Sequence, residues 1–321
     1  METEKASALY GGINLAIQAT KFIWMNGRFV EWNEAKVHVL THALNYGTGV
    51  FEGIRGYAGD ENLYVFRLRD HLNRLMRSAK TYFMEIPYRV EDLEKAILEL
   101  LRRNELRVNC YIRPLAYRSY GFIGLDPSRS EVHVAIAAFP FGKYLDPTKG
   151  VSCCVSSWRR IAIDALPPDA KACGNYVNSA LAKMEALKNG YDEAIFLDSH
   201  GYVCEGTGEN IFIVRDGVIA TPPLSAGILE GITRDSVIKV AGDMGLKIEE
   251  RLITRNELYV CDEAFFTGTA AEITPIVKID RRIVGDGSIG PITKRLQETF
   301  FSIVEGRNDR YRHWLTAVYP L

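Results

Sequence analysis

The apolar residues of this chain come in short runs closed by turn dipeptides, and that punctuation limits the folds open to it. In the second half, strand-like text at 192–197, 202–204, 210–214 and 218–220 alternates with turns at His200-Gly201 and Asp216-Gly217. Near the start, residues 22–30 carry Asn26-Gly27 at their centre, the mark of a hairpin. Further strand text lies at 109–118 and 131–138. Helical spacing interrupts it. Residues 70–83 place Leu72, Leu75, Met76 and Ala79 on one face, and 91–103 do the same with Leu93, Ile97, Leu100 and Leu101. Three more helices are expected: 175–188 closing at Gly190, 234–244 closing near Gly245, and 291–304 opening at Gly290-Pro291, where proline suits a first turn. The pattern is that of a mixed α/β (α+β) chain.

With 321 residues, two domains are expected rather than one core. The division read from the text is an N-terminal arm at 1–21, a small α/β domain at 22–140, an interdomain loop at 141–149 and a larger domain at 150–321. A formal net charge of −1 gives no electrostatic case for nucleic acid or an anionic membrane as partner. No apolar run reaches the roughly 20 residues that span a bilayer. The first 20 residues carry Glu2 and Glu4 beside Lys5, and Gly11-Gly12 breaks their apolar part, which makes a poor signal peptide and favours the cytoplasm. The six cysteines form no C-x-x-C and have no histidine cluster beside them, so they are expected as reduced, mostly buried thiols and no metal site is expected.

One stretch stands apart. Lys171 lies in Asp169-Ala170-Lys171-Ala172-Cys173-Gly174-Asn175-Tyr176, and about thirty residues on comes Glu205-Gly206-Thr207-Gly208-Glu209-Asn210-Ile211-Phe212. A lysine, a tyrosine, a carboxylate and a Gly-rich turn in this order can equip a pyridoxal phosphate site. Free lysine titrates near pH 10.4, so an imine-forming lysine needs desolvation or a nearby cation. The neighbours of Lys171 are mostly apolar, with Asp169 the one nearby acid. On composition alone Lys171 is a solvated loop lysine; the surrounding motifs point elsewhere. The segment Gly231-Ile232-Thr233-Arg234 leads into a helix, and amides at a helix start form a ready anion site. Tyr111 and Arg113 are two apart on a strand and share one face, with Cys110 and Ile112 on the other.

The order and wording of these segments resemble the fold-type IV pyridoxal-phosphate enzymes, most closely the branched-chain amino acid aminotransferases, from about Phe22 to about Trp314. The resemblance implies a small α/β domain, a short loop, and a larger cofactor-binding domain built around a barrel-like sheet. It implies Lys171 as the catalytic residue, carrying pyridoxal 5′-phosphate as a Schiff base and moving the proton between Cα and C4′. It places Glu205 at the pyridine nitrogen with Asn210 and Glu209 in support, Tyr176 at the phenolic oxygen, and Arg74, Ile232, Thr233 and Thr269 at the phosphate, with Leu229 also at the cofactor. For substrate it implies Tyr111 and the turn amides of Thr269 and Ala270 on the α-carboxylate and Arg113 on the distal carboxylate of glutamate. Tyr46, Phe51, Gly53 and Tyr144 would line the side-chain pocket, and residues 119–125 would overhang it. The activity implied is exchange of the amino group of L-leucine, L-isoleucine or L-valine with 2-oxoglutarate, ping-pong, within branched-chain amino acid biosynthesis. Amino acids and 2-oxo acids would be its partners, and a homodimer or dimer-based homo-oligomer its assembly.

Two other readings stay open on sequence. D-amino acid or (R)-amine transaminases and aminodeoxychorismate lyases share the cofactor motifs, although D-amino acid enzymes tend to carry Arg-x-His where this chain has Tyr111-Ile112-Arg113. A non-catalytic pyridoxal phosphate binder would be expected to have lost Lys171, Glu205 or the phosphate set, and all are present.

Overall fold

The computed structural model describes residues 17–142, 145 and 148–320. Most of the expected arm and Tyr144 lie outside them. The chain opens with the expected hairpin, β1 (Phe22–Met25) and β2 (Arg28–Glu31), turned by Asn26 and Gly27, both at positive φ. A short helix α1 (His42–Tyr46) leads to β3 (Gly49–Phe51), β4 (Ile54–Ala58) and β5 (Leu63–Phe66). Then come α2 (Leu68–Thr81), α3 (Val90–Arg103), β6 (Cys110–Arg118) and β7 (Val132–Pro140). Seven strands pair as β5-β4-β6-β7-β1-β2, with β3 also on β6. The two helices bury the faces their spacing predicts, Leu72, Leu75 and Ala79 together with Leu93, Ile97, Leu100 and Leu101, against Ile112, Val134 and Ile136 of the sheet.

The second sheet begins at β8 (Val151–Val155) and continues after α4 (Tyr176–Lys188) with β9 (Glu193–Leu197), β10 (Val203–Gly206), β11 (Asn210–Arg215) and β12 (Val218–Thr221). After α5 (Ile232–Asp243) come β13 (Ile248–Glu250), α6 (Glu257–Val260), β14 (Glu263–Gly268), β15 (Glu272–Ile279), β16 (Arg282–Ile283) and α7 (Pro291–Val304). The order β10-β9-β8-β15-β14-β11 closes on itself, because β10 also pairs with β11. The expected barrel-like sheet is therefore a closed six-strand barrel. Strand alternation sorts its side chains. Ala194 and Phe196 pack with Ala182 and Ala186 of α4, and Phe212 and Phe265 pack with α5 and α7, whereas Ile195, Ile211, Ile213 and Phe266 form the cluster on the other face, inside the barrel.

The chain end does not stay with the barrel. Strand β17 (Leu315–Ala317) pairs antiparallel with β5, so the stretch 150–321 is shared between the two sheets. All six cysteines are free thiols, five of them buried.

Candidate active site

A cavity of about 560 Å³ lies between the sheets. Its walls are β3, Gly53 and β6 on one side and the rim of the barrel on the other, with the lysine segment and the start of α5 completing it.

The lysine segment is clamped from both sides. The Lys171 amide donates to Ser78 Oγ of α2 at 3.0 Å, and its carbonyl accepts from the Phe51 amide at 3.0 Å. The buried Asn175 side chain donates to the Pro167 and Ala170 carbonyls at 2.9 and 3.2 Å, which fixes the loop ahead of α4. With α4 starting at Tyr176, its hydroxyl comes to 2.6 Å from Lys171 Nζ. The Phe51 ring meets that of Tyr176 edge-on at 4.8 Å, and Lys171 Nζ lies 5.0 Å from the Phe51 ring. The amine therefore sits against aromatic walls and is hydrogen-bonded to the Tyr176 hydroxyl.

Glu205, on β10, is 5% exposed and held by three groups. Arg160 Nε stands 2.8 Å from Oε1, and the Leu229 amide and Asn210 Nδ2 each donate to Oε2 at 3.1 Å. Burial pushes the Glu205 carboxyl up, with Arg160 the main opposing influence. Asn210 also donates to the Leu229 carbonyl at 3.0 Å, tying β11 to the approach of α5. Gly231 caps that helix, and a Cβ there would lie 1.9 Å from Asn210 Oδ1, so no larger residue fits. The first amides of α5, at Ile232 and Thr233, have no partner within the helix and line the cavity.

Arg74, which the resemblance implies at the phosphate, stands on α2. Amphipathic spacing would put it in solvent, yet it is 4% exposed. The cause is Glu52, fully buried between β3 and β4, whose two oxygens accept from Arg74 Nε and Nη2 at 2.7 and 2.8 Å. His71 is 2.8 Å from the same carboxylate, and Arg74 Nη1 donates to the Glu230 carbonyl at 2.7 Å. Burial alone would raise the Glu52 carboxyl, but Arg74 and His71 outweigh it and hold it well below the usual carboxylate range. The fork is thus fixed on its carboxylate side, with a further N–H on each terminal nitrogen.

On the β6 wall, Tyr111 and Arg113 share one face of the strand as their spacing requires, and Arg113 Nη2 donates to the Tyr111 hydroxyl at 3.1 Å. Gly53 makes room for that hydroxyl: a Cβ there would lie 2.0 Å from it. Thr269 and Ala270, in the turn between β14 and β15, also line the cavity.

All the expected cofactor residues, Arg74, Lys171, Tyr176, Glu205, Asn210, Leu229, Ile232, Thr233 and Thr269, meet at this one cavity, with Phe51, Gly53, Tyr111, Arg113 and Ala270. Tyr46 does not: it is 42% exposed and its ring lies 4.6 Å from His42. Residues 119–125 pack on α1 instead, with His42 Nε2 2.7 Å from the Gly124 carbonyl, and none of them lines the cavity. Sequence reasoning missed Glu52, His71 and Arg160, which orient the expected residues. It gave Glu209 only a supporting place. Glu209 is buried beside the Gly206–Gly208 turn, where its own carboxylate accepts from the Gly208 amide at 3.0 Å. Burial and then the charge of Glu193 push it up to about 8. Glu193 in turn holds Thr207 Oγ1 at 2.6 Å and Lys183 Nζ at 2.7 Å.

The donor set suits pyridoxal phosphate: an amine beside a phenol, a buried carboxylate backed by an arginine, and an arginine with helix-start amides for a phosphate. Comparison with known proteins agrees. The family model described as "Amino-transferase class IV" matches residues 49–279, and the chain belongs to this family of fold-type IV transferases. Its relatives include the probable branched-chain-amino-acid aminotransferase of Aquifex aeolicus, 48% identical over 93% of this chain and 97% of that one. The branched-chain-amino-acid aminotransferase of Escherichia coli K12 is 45% identical over 92% and 97%. Among solved structures, the branched-chain aminotransferase of Thermoproteus uzoniensis with norvaline has a TM-score of 0.91 at 55% identity, covering 94% of this chain and all of that one. The branched-chain amino acid aminotransferase of Thermobaculum terrenum in its PLP-form has a TM-score of 0.90 at 43% identity, covering 94% and 99%.

Proposed function

We propose that this chain is a pyridoxal-phosphate-dependent branched-chain aminotransferase. It would move the amino group of L-leucine, L-isoleucine or L-valine to 2-oxoglutarate, giving branched-chain 2-oxo acids and L-glutamate. The observation that carries the reading is the Lys171 amine, 2.6 Å from the Tyr176 hydroxyl in the cavity that Glu205 and Arg74 also line. When bound, the cofactor supplies an electron sink that makes a Cα proton removable.

The chain's own groups do the rest. Lys171 Nζ is the base that takes the proton from Cα and returns it on the far side of the transfer. Tyr176 accepts a hydrogen bond from that amine and so sets its direction. Arg74, Ile232 and Thr233 would hold the phosphate, and Thr269 would add a hydroxyl. Glu205, held by Arg160 and Asn210, would meet the ring nitrogen. Tyr111 and the amides at Thr269 and Ala270 hold the α-carboxylate, which fixes the face of Cα turned to Lys171. Arg113 meets the second carboxylate that 2-oxoglutarate and glutamate carry and branched side chains lack. Phe51 and Gly53 shape the apolar part. Donor and acceptor use one site in turn, hence ping-pong order. The relatives' names support an enzyme of branched-chain amino acid metabolism, and the family resemblance implies that it works in the cytoplasm as a homodimer or dimer-based oligomer.

Borohydride reduction of the loaded protein followed by peptide mapping should place the pyridoxyl group on Lys171. Label on Lys183 or Lys188 would overturn the assignment.

A further inference from the structure

The cavity's two walls come from different sheets, so something must set their separation. On the first sheet, Phe51 pairs with Leu115 and Arg55 with Tyr111 in one continuous register. Residues 51, 53, 55 and 57 therefore share the face that carries Tyr111 and Arg113. Phe51 and Gly53 line the cavity, and Arg55 is the next residue of that row. Arg55 is 3% exposed, and its guanidinium lies 5.3 Å from the ring centres of both Tyr57 and Phe141. Its hydrogen bonding is thin: Nη2 donates to the Phe141 carbonyl at 3.4 Å, while Nε and Nη1 have no hydrogen-bond partner among the described residues. A buried guanidinium left this way asks for an explanation.

Its counter-charge comes from the other sheet. Glu272, 6% exposed, has Oε1 at 3.8 Å from Arg55 Nη1 and is hydrogen-bonded by Tyr57. Glu272 closes the three-residue turn 269–271 by pairing with Gly268. Its φ is +56°, in the left-handed region that favours glycine. A glutamate is kept where the backbone favours glycine, and its carboxylate reaches across to the first sheet. The turn it closes carries Thr269 and Ala270 into the cavity, opposite Tyr111.

We propose that Arg55 and Glu272 are positioning residues: they latch the 269–271 turn of the barrel to the Phe51–Gly53–Arg55 row of the first sheet and so set the gap in which a substrate carboxylate binds. The proposal rests on the function proposed above for what it says of substrate, and on the fold alone for what it says of the turn. Of the phosphate residues the turn carries only Thr269, while Arg74, Ile232 and Thr233 stand on other elements, so the latch bears on carboxylate binding more than on cofactor binding.

The test uses Arg55→Met, Glu272→Gln, their double variant and Arg55→Lys in the pyridoxal-phosphate-loaded full chain. Arg55→Met and Glu272→Gln should each weaken binding of 4-methylvaleric acid, read by titration of the cofactor absorbance, and raise the KM for L-leucine by about tenfold or more, since sub-ångström placement governs such sites. The changes in kcat and in cofactor retention should stay within about threefold, since Arg74, Ile232 and Thr233 still hold the phosphate, and Arg55→Lys should recover part of the affinity, because it keeps the charge but not the planar fork. The double variant should be no worse than the poorer single one, as two ends of one contact are not additive. Hydrogen–deuterium exchange should rise at 268–274 and not at 171–176. The double variant leaves no unpaired buried charge, so it decides the matter if a single one fails to fold. Wild-type affinity for the acid in the double variant would overturn the latch, as would faster exchange spread over the whole chain with cofactor loss to match. If the wild type does not react with L-leucine, the functional reading fails while exchange at 268–274 still judges the latch.

Discussion

Glu52→Gln is the most revealing single change, because it removes charge and almost no volume. The Glu52 carboxylate accepts from Arg74 twice, at 2.7 and 2.8 Å, lies 2.8 Å from His71 Nδ1, and is fully buried. Glutamine keeps one acceptor and leaves the Arg74 guanidinium, 4% exposed, without its counter-charge. Breaking a buried ion pair from one side costs about 3–5 kcal/mol. At about 2 °C per kcal/mol for a chain of this size, the thermal midpoint should fall by roughly 6–10 °C. The pH dependence has a definite sign. The folded carboxyl is held below its usual value of 4.5, so its contribution is complete above about pH 4.5 and is lost as the pH falls below that. The gap between wild type and variant should therefore be constant from about pH 6 to 8 and close in acid. The assay is thermal denaturation of the cofactor-free proteins at matched pH. Adding Arg74→Met to the variant removes the stranded charge and should restore part of the midpoint. A loss under about 1 kcal/mol at pH 7 would refute the reasoning, since that is the worth of an exposed pair rather than this buried one.

Three further outcomes follow from the same geometry. Arg74→Ala should weaken pyridoxal phosphate retention by about 10- to 150-fold, the range for one charge-assisted contact, and unchanged affinity by equilibrium dialysis would remove Arg74 from the phosphate. Arg113→Ala should raise the KM for 2-oxoglutarate strongly and that for L-leucine weakly; equal damage in single-turnover kinetics would move Arg113 to the α-carboxylate. For Glu209, raised from 4.5 to about 8, the folded protein holds a proton that the unfolded chain releases, so stability is lost as pH climbs through that interval. Glu209→Gln should accordingly flatten the fall in thermal midpoint between about pH 5 and 8, and an unchanged slope would show that another group titrates.

Local elements were legible in the sequence, because period and punctuation are local. The helices expected at 91–103 and 291–304 are Val90–Arg103 and Pro291–Val304 in the structure, and Asn26-Gly27 turns the first hairpin. Barrel closure was not readable from pattern, since it depends on the non-sequential pairing of β8 with β15 and of β14 with β11; it came only with the family resemblance. The excursion of Leu315–Ala317 to the first sheet left no signal in three residues of ordinary composition. In the site, motif text led to Lys171, Tyr176 and Glu205, because they sit in short distinctive segments. Arg160 and Glu52 act through partners 45 and 22 residues away in sequence, and only folding brings them together. Arg74 shows the limit of periodicity most clearly: helical spacing assigns its face to solvent, and a carboxylate from another element claims it.

The central claim is that this cavity transfers the amino group of a branched L-amino acid. It is tested most directly by adding L-leucine, without acceptor, to the protein loaded with pyridoxal phosphate. The account predicts loss of the cofactor's visible band with one equivalent of 4-methyl-2-oxopentanoate released per site, return of the band on adding 2-oxoglutarate, and little reaction with D-leucine. A band unmoved by L-leucine, or one that D-leucine bleaches at a comparable rate, would contradict it.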